Sequence, residues 1–519
     1  MKFYNKLWFV PMVCLLISSC YDDEGNYDYR ELDELEITNI PDEISVLAHA
    51  ENIQITPVIK SKKEGEIKGD NPNYSFTYLY DRIRTTPEGT NECTVLDSAF
   101  TKDMNMLAEF KADRYKCWFQ VKDNRTGIVT TKSFMLTVAS TNYEGWMVLC
   151  NEGAEKRVRL DMIGVISAER EVVTHDILPD LPLIHRATSI GFDPDFFAYG
   201  GATIRIMSEE GGYKLEPEGF ETGPEYNMDY EFGDTKVHHA PLIMYRVNGK
   251  KMIVDKENNA YLQGTSAGAI YGRPLNTLDV TETPQFKVSP YLGVATVNSV
   301  PGALLFDSTN KRFLMWYSFA EETCMELPQP DPKLFDYQIG MDLVYMGCIE
   351  NNNEIYALLK DAQGKYCLCG IQMIARYPPV FKQILYHEDL KADFIAEASH
   401  FALHPNLPYL FYSVKNEIWQ YDYSTKQTKR RPLLDDKEEI TMLKFNMYKG
   451  FYGSVEKPDD YFERQYDLIV GSVDSRVEGD NNGKLRFYEV PRLNGNLQLK
   501  GEPYTGFAEI VDVVYRERE

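Results

Sequence analysis

Short pairs of apolar strands recur along most of this chain, and this recurrence is the strongest constraint on its fold. From Gly145 onward, runs such as 242–247 with 251–254, and 303–306 with 313–317, are joined by links such as Asp307–Asn310. Asn, Asp, Gly and Ser favour tight turns, so each pair predicts a β-hairpin. Successive units recur at roughly 40–60 residues, which is the period of propeller blades. Residues 143–519 therefore predict a β-propeller of about seven blades.

The predicted blades can be placed along the chain from the spacing of these hairpins. They cover residues 145–182, 186–232, 238–287, 291–330, 338–386, 394–435 and 438–508. We expect the final alternating strand, Glu509–Tyr515, to pair in the same blade as Gly145–Cys150, because a propeller must join its ends to leave no bare edge. Two stacked β-sandwich domains are the competing arrangement, which the lack of a clear linker between residues 150 and 519 disfavours.

The region before the predicted propeller has the pattern of a smaller β-domain. Between residues 37 and 140, apolar and polar residues alternate in runs such as Tyr74–Tyr80 and Tyr115–Val121, with a turn at Asp123–Gly127. Alternation with a period of two predicts strands with one buried face, and about a hundred such residues suit an Ig-like sandwich. We therefore predict an all-β fold, with an N-terminal β-sandwich over 37–140 followed by a seven-bladed β-propeller over 143–519.

The first twenty residues have the pattern of an export signal. Lys2 and Lys6 precede an apolar run, Leu7–Ile17, which has the length of a signal-peptide core and is too short to span a bilayer. The run leads into Ser18-Ser19-Cys20, which resembles the lipobox of bacterial lipoproteins, where the Cys thiol is acylated. We expect residues 1–19 to be removed and Cys20 to carry a covalent lipid that anchors the protein to a membrane.

Acidic residues dominate the segment that follows the predicted anchor. Residues 20–36 contain eight acidic side chains and one Arg, with little to bury, which predicts a solvated tether. The whole chain carries a formal net charge of −24, and it has no cluster of Lys or Arg to offset that charge. Nucleic acid and anionic membrane surfaces are therefore unsuitable partners.

Cysteine spacing gives two expectations about thiols. Cys93 and Cys117 both lie in the predicted sandwich, where a disulfide between them is one alternative and free thiols are the other. Cys367 and Cys369 lie two apart on a predicted strand and share a face, so we expect buried thiols that are not bonded to each other. No Cys or His spacing in the chain suggests a zinc site.

One serine lies in a motif that can carry catalysis. Gly264–Gly268 has the Gly-x-Ser-x-Gly pattern of a nucleophile elbow, with Ser266 at its centre. That motif needs a helix directly after the serine, whereas Gly272 and Pro274 follow here and argue against one. We therefore predict a blade loop at this position, and we assign no catalytic residue.

The Asp and His residues considered for catalysis or metal binding also lack the partner residues that such sites need. Asp307 with His387 or His400 has the chain order of a triad, which a chain of this length offers by chance. His400 and His404 are four apart, as helical metal ligands can be, but the carboxylate base of an HExxH site is absent. Their surroundings predict a strand entering a turn. Three other histidines are expected to cap turns or pack in the core: His185, His238 and His239.

Exposed aromatic rings are the positive signal for ligand binding, because flat rings stack on the apolar faces of sugars. The segment Glu225–Glu231 is polar enough to be exposed, and we assign Tyr226 and Tyr230 as candidate ligand-binding residues. Three tryptophans lie within strand patterns and are expected to pack in the core: Trp146, Trp316 and Trp419.

Metal and nucleotide sites have little support in the sequence. Asp193–Asp195 and Asp480–Gly483 hold oxygens that calcium accepts, but they lack the spacing of a calcium loop and predict hairpin turns. Calcium therefore stays unsupported, we assign no metal ligand, and no phosphate-binding glycine motif is present. Apart from the lipid on Cys20, we expect no cofactor.

Several landmarks resemble the PKD-like lipoprotein family of the Bacteroidota. They are the segment Cys20–Tyr29, the sandwich that follows it, Tyr143–Leu149 and the closing Ile510–Arg516. The resemblance implies that the sandwich is Ig/PKD-like. In that phylum an acidic run after the lipidated Cys, here Asp22-Asp23-Glu24, resembles a signal for display on the outer face of the outer membrane. Such proteins are commonly encoded beside SusC/SusD-like uptake pairs, which implies an accessory role in capturing glycan or peptide for import.

These observations together predict a surface-exposed outer-membrane lipoprotein that binds or docks, without bond chemistry, in a SusC/SusD-like uptake system. The expected partners are the outer membrane, the transporter, and a glycan or peptide ligand. The alternative is a propeller glycoside hydrolase or polysaccharide lyase, since its paired carboxylates cannot be chosen from 79 acidic residues by sequence. Two convergent carboxylates in a central funnel would favour that enzyme. A large apolar surface patch would favour a purely structural subunit.

Replacing the predicted anchor tests the export assignment directly. The Cys20→Ser variant removes the thiol that the lipid requires, so we expect it to incorporate no labelled palmitate and to leave the membrane fraction. Cys14→Ser, which removes the other Cys of the N-terminal segment, is the control and should keep both label and membrane. Equal membrane retention of the two variants would contradict the lipoprotein assignment.

Overall fold

Strand-forming sequence dominates the folded part of the chain. The structure is a computed structural model, and across the residues that it describes it contains 36 strands, a few short 3-10 helices and no α-helix. The all-β class predicted from the sequence is therefore confirmed. The described residues are 33–48, 50–82, 94–95, 100–110, 112–142, 144–167, 170–179, 181–182, 184–194, 202–216, 220–247, 250–264, 269–279, 284–295, 302–317, 323–349, 352–374, 376, 379–431, 434–448, 463–492 and 495–517.

The chain divides into two compact units, Met1–Val138 and Ala139–Glu519. The strands of the first unit are β1 (Leu35–Thr38), β2 (Glu43–Leu47), β3 (Asn52–Ile55), β4 (Val58–Ser61), β5 (Gly65–Glu66), β6 (Tyr74–Arg82), β7 (Thr94–Val95), β8 (Met104–Leu107), β9 (Asp113–Asp123) and β10 (Val129–Ala139). They form sheets of order β1-β4-β5, β2-β10-β9-β6-β7 and β3-β8.

Alternating burial gives the first unit one hydrophobic core. Along β9, Tyr115, Cys117, Phe119 and Val121 are buried, whereas Lys116 is exposed. This is the period-two pattern of a strand with one face on the core. The Phe119 ring packs on Tyr78, with the ring centroids 4.7 Å apart. The β9 sequence thus decides both the strand and the side of it that is buried.

The first unit begins slightly before the boundary predicted for the sandwich. β1 starts at Leu35, two residues inside the predicted tether 20–36. The Asp33 carboxylate also accepts hydrogen bonds from the hydroxyls of Ser61 and Tyr74. The last residues of the acidic segment are therefore ordered by the fold, and Asp33 belongs to the first unit.

Seven sheets make up the second unit among its described residues. The strands of the first four sheets are β11 (Gly145–Glu152), β12 (Arg157–Ser167) and β13 (Arg170–Thr174), then β14 (Ala187–Asp193), β15 (Thr203–Ser208) and β16 (Gly211–Leu215), then β17 (Pro241–Val247), β18 (Lys250–Asp255) and β19 (Ala260–Gln263), then β20 (Gly293–Ala295), β21 (Gly302–Asp307), β22 (Arg312–Tyr317) and β23 (Met325–Glu326).

The remaining three sheets have four strands each. Their strands are β24 (Asp342–Ile349), β25 (Glu354–Lys360), β26 (Tyr366–Ile374) and β27 (Val380–His387), then β28 (His400–Leu403), β29 (Tyr409–Val414), β30 (Glu417–Asp422) and β31 (Gln427–Arg431), then β32 (Glu438–Lys444), β33 (Leu468–Asp474), β34 (Gly483–Glu489) and β35 (Gln498–Phe507). The last strand, β36 (Glu509–Arg516), returns to the first sheet, whose order is β13-β12-β11-β36. The strands of each sheet fall within one predicted blade range, except that β27 extends one residue further and β36 belongs to the first sheet.

One strand of each sheet lies beside the corresponding strand of the next sheet. In sequence around the unit these strands are β36, β14, β17, β20, β24, β28 and β32, and β32 lies beside β36 again. We call these seven the inner strands. Between β14 and β17, Ser189 Oγ donates to the Leu242 carbonyl oxygen at 2.8 Å. A Cβ atom at Gly191 would lie 2.4 Å from Met244 Cε, so a larger residue at this position would displace the end of the Met244 side chain. The sheets thus follow one another around a closed circuit of contacts.

The pairing of the C-terminal strand with the first strand of the unit is the one predicted from the sequence. β36 runs antiparallel to β11, with Trp146 opposite Tyr515 and their rings 5.0 Å apart in an edge-on arrangement. A β-bulge interrupts the register, because Leu149 pairs with Asp512 while Cys150 pairs with Ile510. Val511 is the extra residue, and bulges of this kind redirect the side chains that follow them.

The described cysteines form no disulfide bonds. Cys117 is buried in the first core, and Cys93, its candidate disulfide partner, lies outside the described residues. Cys367 and Cys369 are both buried on β26, with their Sγ atoms 3.7 Å apart and no bond between them. The expectation of two buried, unbonded thiols on one strand face is therefore confirmed.

Candidate functional site

The inner strands of the second unit surround a cavity of about 320 Å³. This volume lies at the lower end of the range for small-molecule pockets. The lining residues come from six of the seven inner strands and from the segments after β28 and β32: Ile190, Gly191, Phe192, Met244, Arg246, Tyr345, Cys348, Phe401, Ala402, Leu403, Pro405, Leu443, Lys444, Phe445, Asn446, Met447 and Val514. Most of the lining residues have apolar side chains, although polar atoms make up more than half of the accessible wall. Phe192, Tyr345, Phe401 and Phe445 supply aromatic rings.

Arg246 is one of two cations in the cavity wall. It lies near the end of β17, and its Nε atom is 3.2 Å from Asp193 Oδ1 at the end of β14. This is an ion pair without good hydrogen-bond geometry. The other Asp193 oxygen, Oδ2, lies 3.0 Å from Lys251 Nζ. Asp193 is nearly fully buried behind Arg246, so it holds the guanidinium in place from the protein side.

Lys444 is the second cation, and Asp512 of β36 holds it in the same way. Lys444 Nζ lies 2.6 Å from Asp512 Oδ1. That carboxylate also accepts the backbone N–H of Ile190 at 3.0 Å and of Val513 at 2.9 Å. Asp512 therefore links three inner strands, β36, β14 and β32, through one side chain.

Asn446 adds a polar group with a fixed orientation. It is buried in the wall, and its Oδ1 accepts the backbone N–H of Tyr515 at 3.3 Å. Because the oxygen faces the backbone of β36, the side-chain NH₂ remains as a donor group. Among the described residues that line the cavity there is no Asp or Glu. The polar part of the wall thus consists of two cations, one amide, one phenol and one thiol.

The two tyrosines predicted to bind ligand lie elsewhere. Tyr226 ends the 3-10 helix Pro224–Tyr226, and Tyr230 lies in the 3-10 helix Met228–Glu231 with 61% of its surface exposed. Desolvation, with added repulsion from Glu221 and Glu225, raises the pKa of Tyr226. Neither residue is part of the cavity wall. Their role in binding stays a prediction.

The triad candidates have structural partners where they are described. Asp307 is fully buried and caps the β21–β22 turn, where it accepts the backbone N–H groups of Thr309 and Asn310 and pairs with Arg312 at 2.8 Å. His387 is buried, with its Nδ1 atom 3.4 Å from the Tyr421 hydroxyl. Ser266 lies outside the described residues. Asp307 serves as a turn cap, which its position directly after an apolar strand could have indicated.

His400 and His404 lie on a strand and a turn, as their sequence predicts. β28 is His400–Leu403, and the Nδ1 atom of His404 accepts the backbone N–H groups of Asn406 and Leu407, both at 3.0 Å. The His404 ring packs edge-on against Phe445 of the cavity wall, with centroids 5.0 Å apart. His404 is therefore a neutral structural group that supports the wall from behind.

The remaining histidines and the tryptophans are held by neighbouring side chains, as the sequence predicts. His238 Nδ1 lies 2.8 Å from Asp229 Oδ2, and His185 Nδ1 lies 2.9 Å from Glu210 Oε2. His239 stacks on Phe232 with the centroids 3.7 Å apart. All three tryptophans assigned to the core are buried: Trp146, Trp316 and Trp419.

The predicted oxygen-rich turns are partly described. Asp193 pairs with Arg246 and Lys251. Asp195 lies outside the described residues. Asn481 Oδ1 accepts a hydrogen bond from Arg159 Nη1 at 2.6 Å. Across the described segments we find no group of three or more His, Cys, Asp or Glu side chains arranged to hold a metal ion.

Charged residues inside apolar strands are the signal that sequence reasoning missed. Arg246, Lys444 and Asp512 each interrupt an apolar run, at Leu242–Val247, Met442–Phe445 and Ile510–Val514. Burying a charge is costly unless it is paired. Each of these residues therefore needs a partner or a ligand, and this requirement could have marked the site.

A protein-family model matches the N-terminal part of the chain. Residues 20–181 match the family model described as the PKD-like family. The matched range covers the described strands of the first unit and also β11–β13 of the second. No curated protein matches the chain. The part of the chain that the structure describes includes no helix with the length and hydropathy needed to cross a bilayer.

Two solved structures have backbones that are similar to the backbone of this chain. One is a quinonprotein alcohol dehydrogenase-like protein from Bacteroides thetaiotaomicron, with 10% identity and a TM-score of 0.39 over 91% of this chain and 97% of that chain. The other is a periplasmic gluconolactonase from Pseudomonas aeruginosa, with 11% identity and a TM-score of 0.42 over 72% of this chain and 99% of that chain.

The buried imidazole behind the cavity wall predicts a pH dependence of stability. Burial lowers the pKa of His404 from 6.5 to about 4, so the unfolded chain takes up this proton first as the pH falls. The contribution of His404 is then fully present above pH 6.5 and is lost between pH 6.5 and about 4, by about 3 kcal/mol.

The control for this prediction is His404→Asn, which keeps a side-chain acceptor near the turn and cannot titrate. Urea unfolding of both proteins at several pH values between 7 and 4 should show the wild type losing about 3 kcal/mol more than the variant. Parallel stability curves for the two proteins would contradict the neutral, buried state of His404.

Proposed function

We propose that the seven sheets of the second unit are the blades of a seven-bladed β-propeller, preceded by an Ig/PKD-like sandwich. The circuit of inner strands supports this arrangement, because each sheet contacts the next and the seventh contacts the first. Its completion by the C-terminal strand in the first sheet supports it as well. In a propeller the sheets are arranged radially around a central channel, and the cavity lies between the inner strands.

In this proposal the protein is a lipoprotein held at the outer membrane by a lipid on Cys20, with its folded units facing the cell exterior. The charged start, the short apolar core and the Ser-Ser-Cys ending support the anchor. Asp22-Asp23-Glu24, directly after that Cys, supports display on the outer face. The remaining acidic residues of the tether favour an extended, solvated segment between the membrane and the fold.

Its function is to bind or dock, without bond chemistry, as a component of a SusC/SusD-like system for glycan or peptide uptake. The observation that carries this function is the central cavity, which combines aromatic rings with two cations held from behind by carboxylates. Apolar walls with a few fixed polar groups are the usual composition of a ligand site. The carboxylates nearest to the cavity pair with cations instead of converging on its interior, which favours binding over the glycosidase alternative.

The acidic run and the transporter association can be tested together on cells. The triple variant Asp22→Ala/Asp23→Ala/Glu24→Ala should keep its palmitate label, but protease added to intact cells should no longer cleave it. The wild type should be cleaved, and after mild detergent extraction it should purify together with a SusC/SusD-like transporter, whereas the triple variant should not.

The matched control is Asp28→Ala/Glu31→Ala, which removes acidic charge from the same tether outside the run. This variant should behave like the wild type in both measurements. A wild type that is protected from protease in intact cells would contradict surface display. Purification without any transporter would contradict the docking role.

A further inference from the structure

We infer that the central cavity binds a small organic anion, with a carboxylate at Arg246 and Lys444 and an apolar face against the aromatic wall. This inference rests on the proposed function, because it takes the cavity as the ligand site, and it adds the chemical class of the ligand. Acidic sugars and small aromatic acids are two sources of this chemistry. Both place a carboxylate on a body with a flat apolar face.

The charge of the wall is opposite to that of the chain. The chain carries a formal net charge of −24, yet the charged residues in the described wall are Arg246 and Lys444 only. Behind them, Asp193 and Asp512 are accompanied by the further cation Lys251. Among the described residues of this group three cations face two carboxylates, and the neighbouring Arg205–Glu231 pair adds no net charge, so one positive charge is in excess. An anion entering the cavity would balance it.

Arg246 lines the cavity and carries more donors than one carboxylate can accept. A guanidinium carries five N–H groups in a planar fork that matches a carboxylate. The ion pair with Asp193 has its shortest distance at Nε, and Nε is buried without a hydrogen bond in the described part of the chain. Buried donors without acceptors are costly, and its side chain is only 17% exposed. A ligand carboxylate would supply two acceptors in the geometry that the fork prefers.

Lys444 is positioned to make a second contact. Its ammonium group has three donors, and Asp512 accepts one of them while that carboxylate is fixed by two backbone amides. The Lys444 side chain keeps 32% of its surface exposed. The pair therefore leaves donor capacity at the wall, and Asn446 nearby offers an amide for ligand hydroxyls.

The shape and composition of the cavity limit the ligand to a small molecule. Its volume of about 320 Å³ is at the lower end for ligand pockets. Four aromatic rings line it, and Tyr345 stacks on Phe401 with the centroids 5.4 Å apart. Such rings pack on the apolar face of a pyranose or of a benzene ring. An uncharged ligand of this size would use the rings and the donors of the wall, but it would leave the positive charge of the cations unbalanced.

Calorimetry on the full lipoprotein in detergent tests this inference with charge-matched probes. D-glucuronate is compared with D-glucuronamide, and phenylacetate with phenylacetamide, since each amide keeps the size of the acid and loses its charge. At least one acid should bind about tenfold or more tightly than its amide, and its affinity should fall as salt is added. The pair that shows this preference identifies the source of the carboxylate.

Variants of the wall assign the effect to its cations. Arg246→Gln should weaken binding of the preferred acid by about tenfold or more, and Arg246→Lys, which keeps the charge without the fork, should weaken it less. Lys250→Gln is the control, because it removes the same charge from a neighbouring residue that lies outside the wall and over the Trp316 ring. Lys250→Gln should bind the preferred acid as tightly as the wild type does. The unfolding temperatures of all three variants are measured to show that each one folds.

Each failure has a distinct meaning. Equal binding of acid and amide would overturn the anion preference and leave the cavity as a ligand site. Equal loss in Arg246→Gln and Lys250→Gln would overturn the assignment to the wall. No binding of either acid at concentrations up to about 10 mM, where even weak ligands register, would overturn the inference altogether. Surface display and transporter association are measured separately, so the proposed uptake role can fail or stand independently of these results.

Discussion

A single carboxylate, Asp512, links the first sheet of the second unit to the second and seventh sheets. It lies on the C-terminal strand, accepts the Ile190 amide of the strand on one side, and pairs with Lys444 of the strand on the other side. A charge buried at this depth destabilises a fold unless its oxygens are fully paired. The circuit of inner strands is therefore closed at a buried charge whose partners lie on both neighbouring strands. The cavity exists because this circuit is complete.

The bulge in β36 explains how an apolar strand presents this carboxylate. Without it, Asp512 would lie on the same face as Ile510, which packs with Trp146 in a hydrophobic cluster. The extra residue, Val511, shifts the alternation, so that Ile510 and Val513 join the same cluster although they are three residues apart. Asp512 is thereby turned toward β14 and β32. One inserted residue thus lets β36 keep its apolar side chains in the cluster and direct Asp512 toward its partners on the neighbouring strands.

Much of this architecture could be predicted because its causes are local in sequence. Hairpins follow from apolar runs and turn residues such as Asp307, whose carboxylate holds its own turn, and the closing role of Glu509–Tyr515 follows from the need to avoid a bare edge. The cations of the cavity could not be located in the same way, because their partners lie on other sheets. Lys444 and Asp512 are 68 residues apart. The pattern around Tyr226 and Tyr230 indicates exposure, and exposure alone does not distinguish a ligand site from ordinary surface.

Hydrogen exchange in the native state tests the closed circuit most directly. The central claim is that β36 joins the first and seventh sheets through Asp512, so Asp512→Ala should weaken protection of amides in β14 and β32 as well as in β36. Leaving the Ile190 amide without an acceptor costs about 1–3 kcal/mol, which corresponds to a loss of protection of about fivefold to about 150-fold. Asp512→Asn keeps an acceptor for that amide and should lose less protection at β14. Faster exchange confined to β36, with β14 and β32 unchanged, would contradict the account.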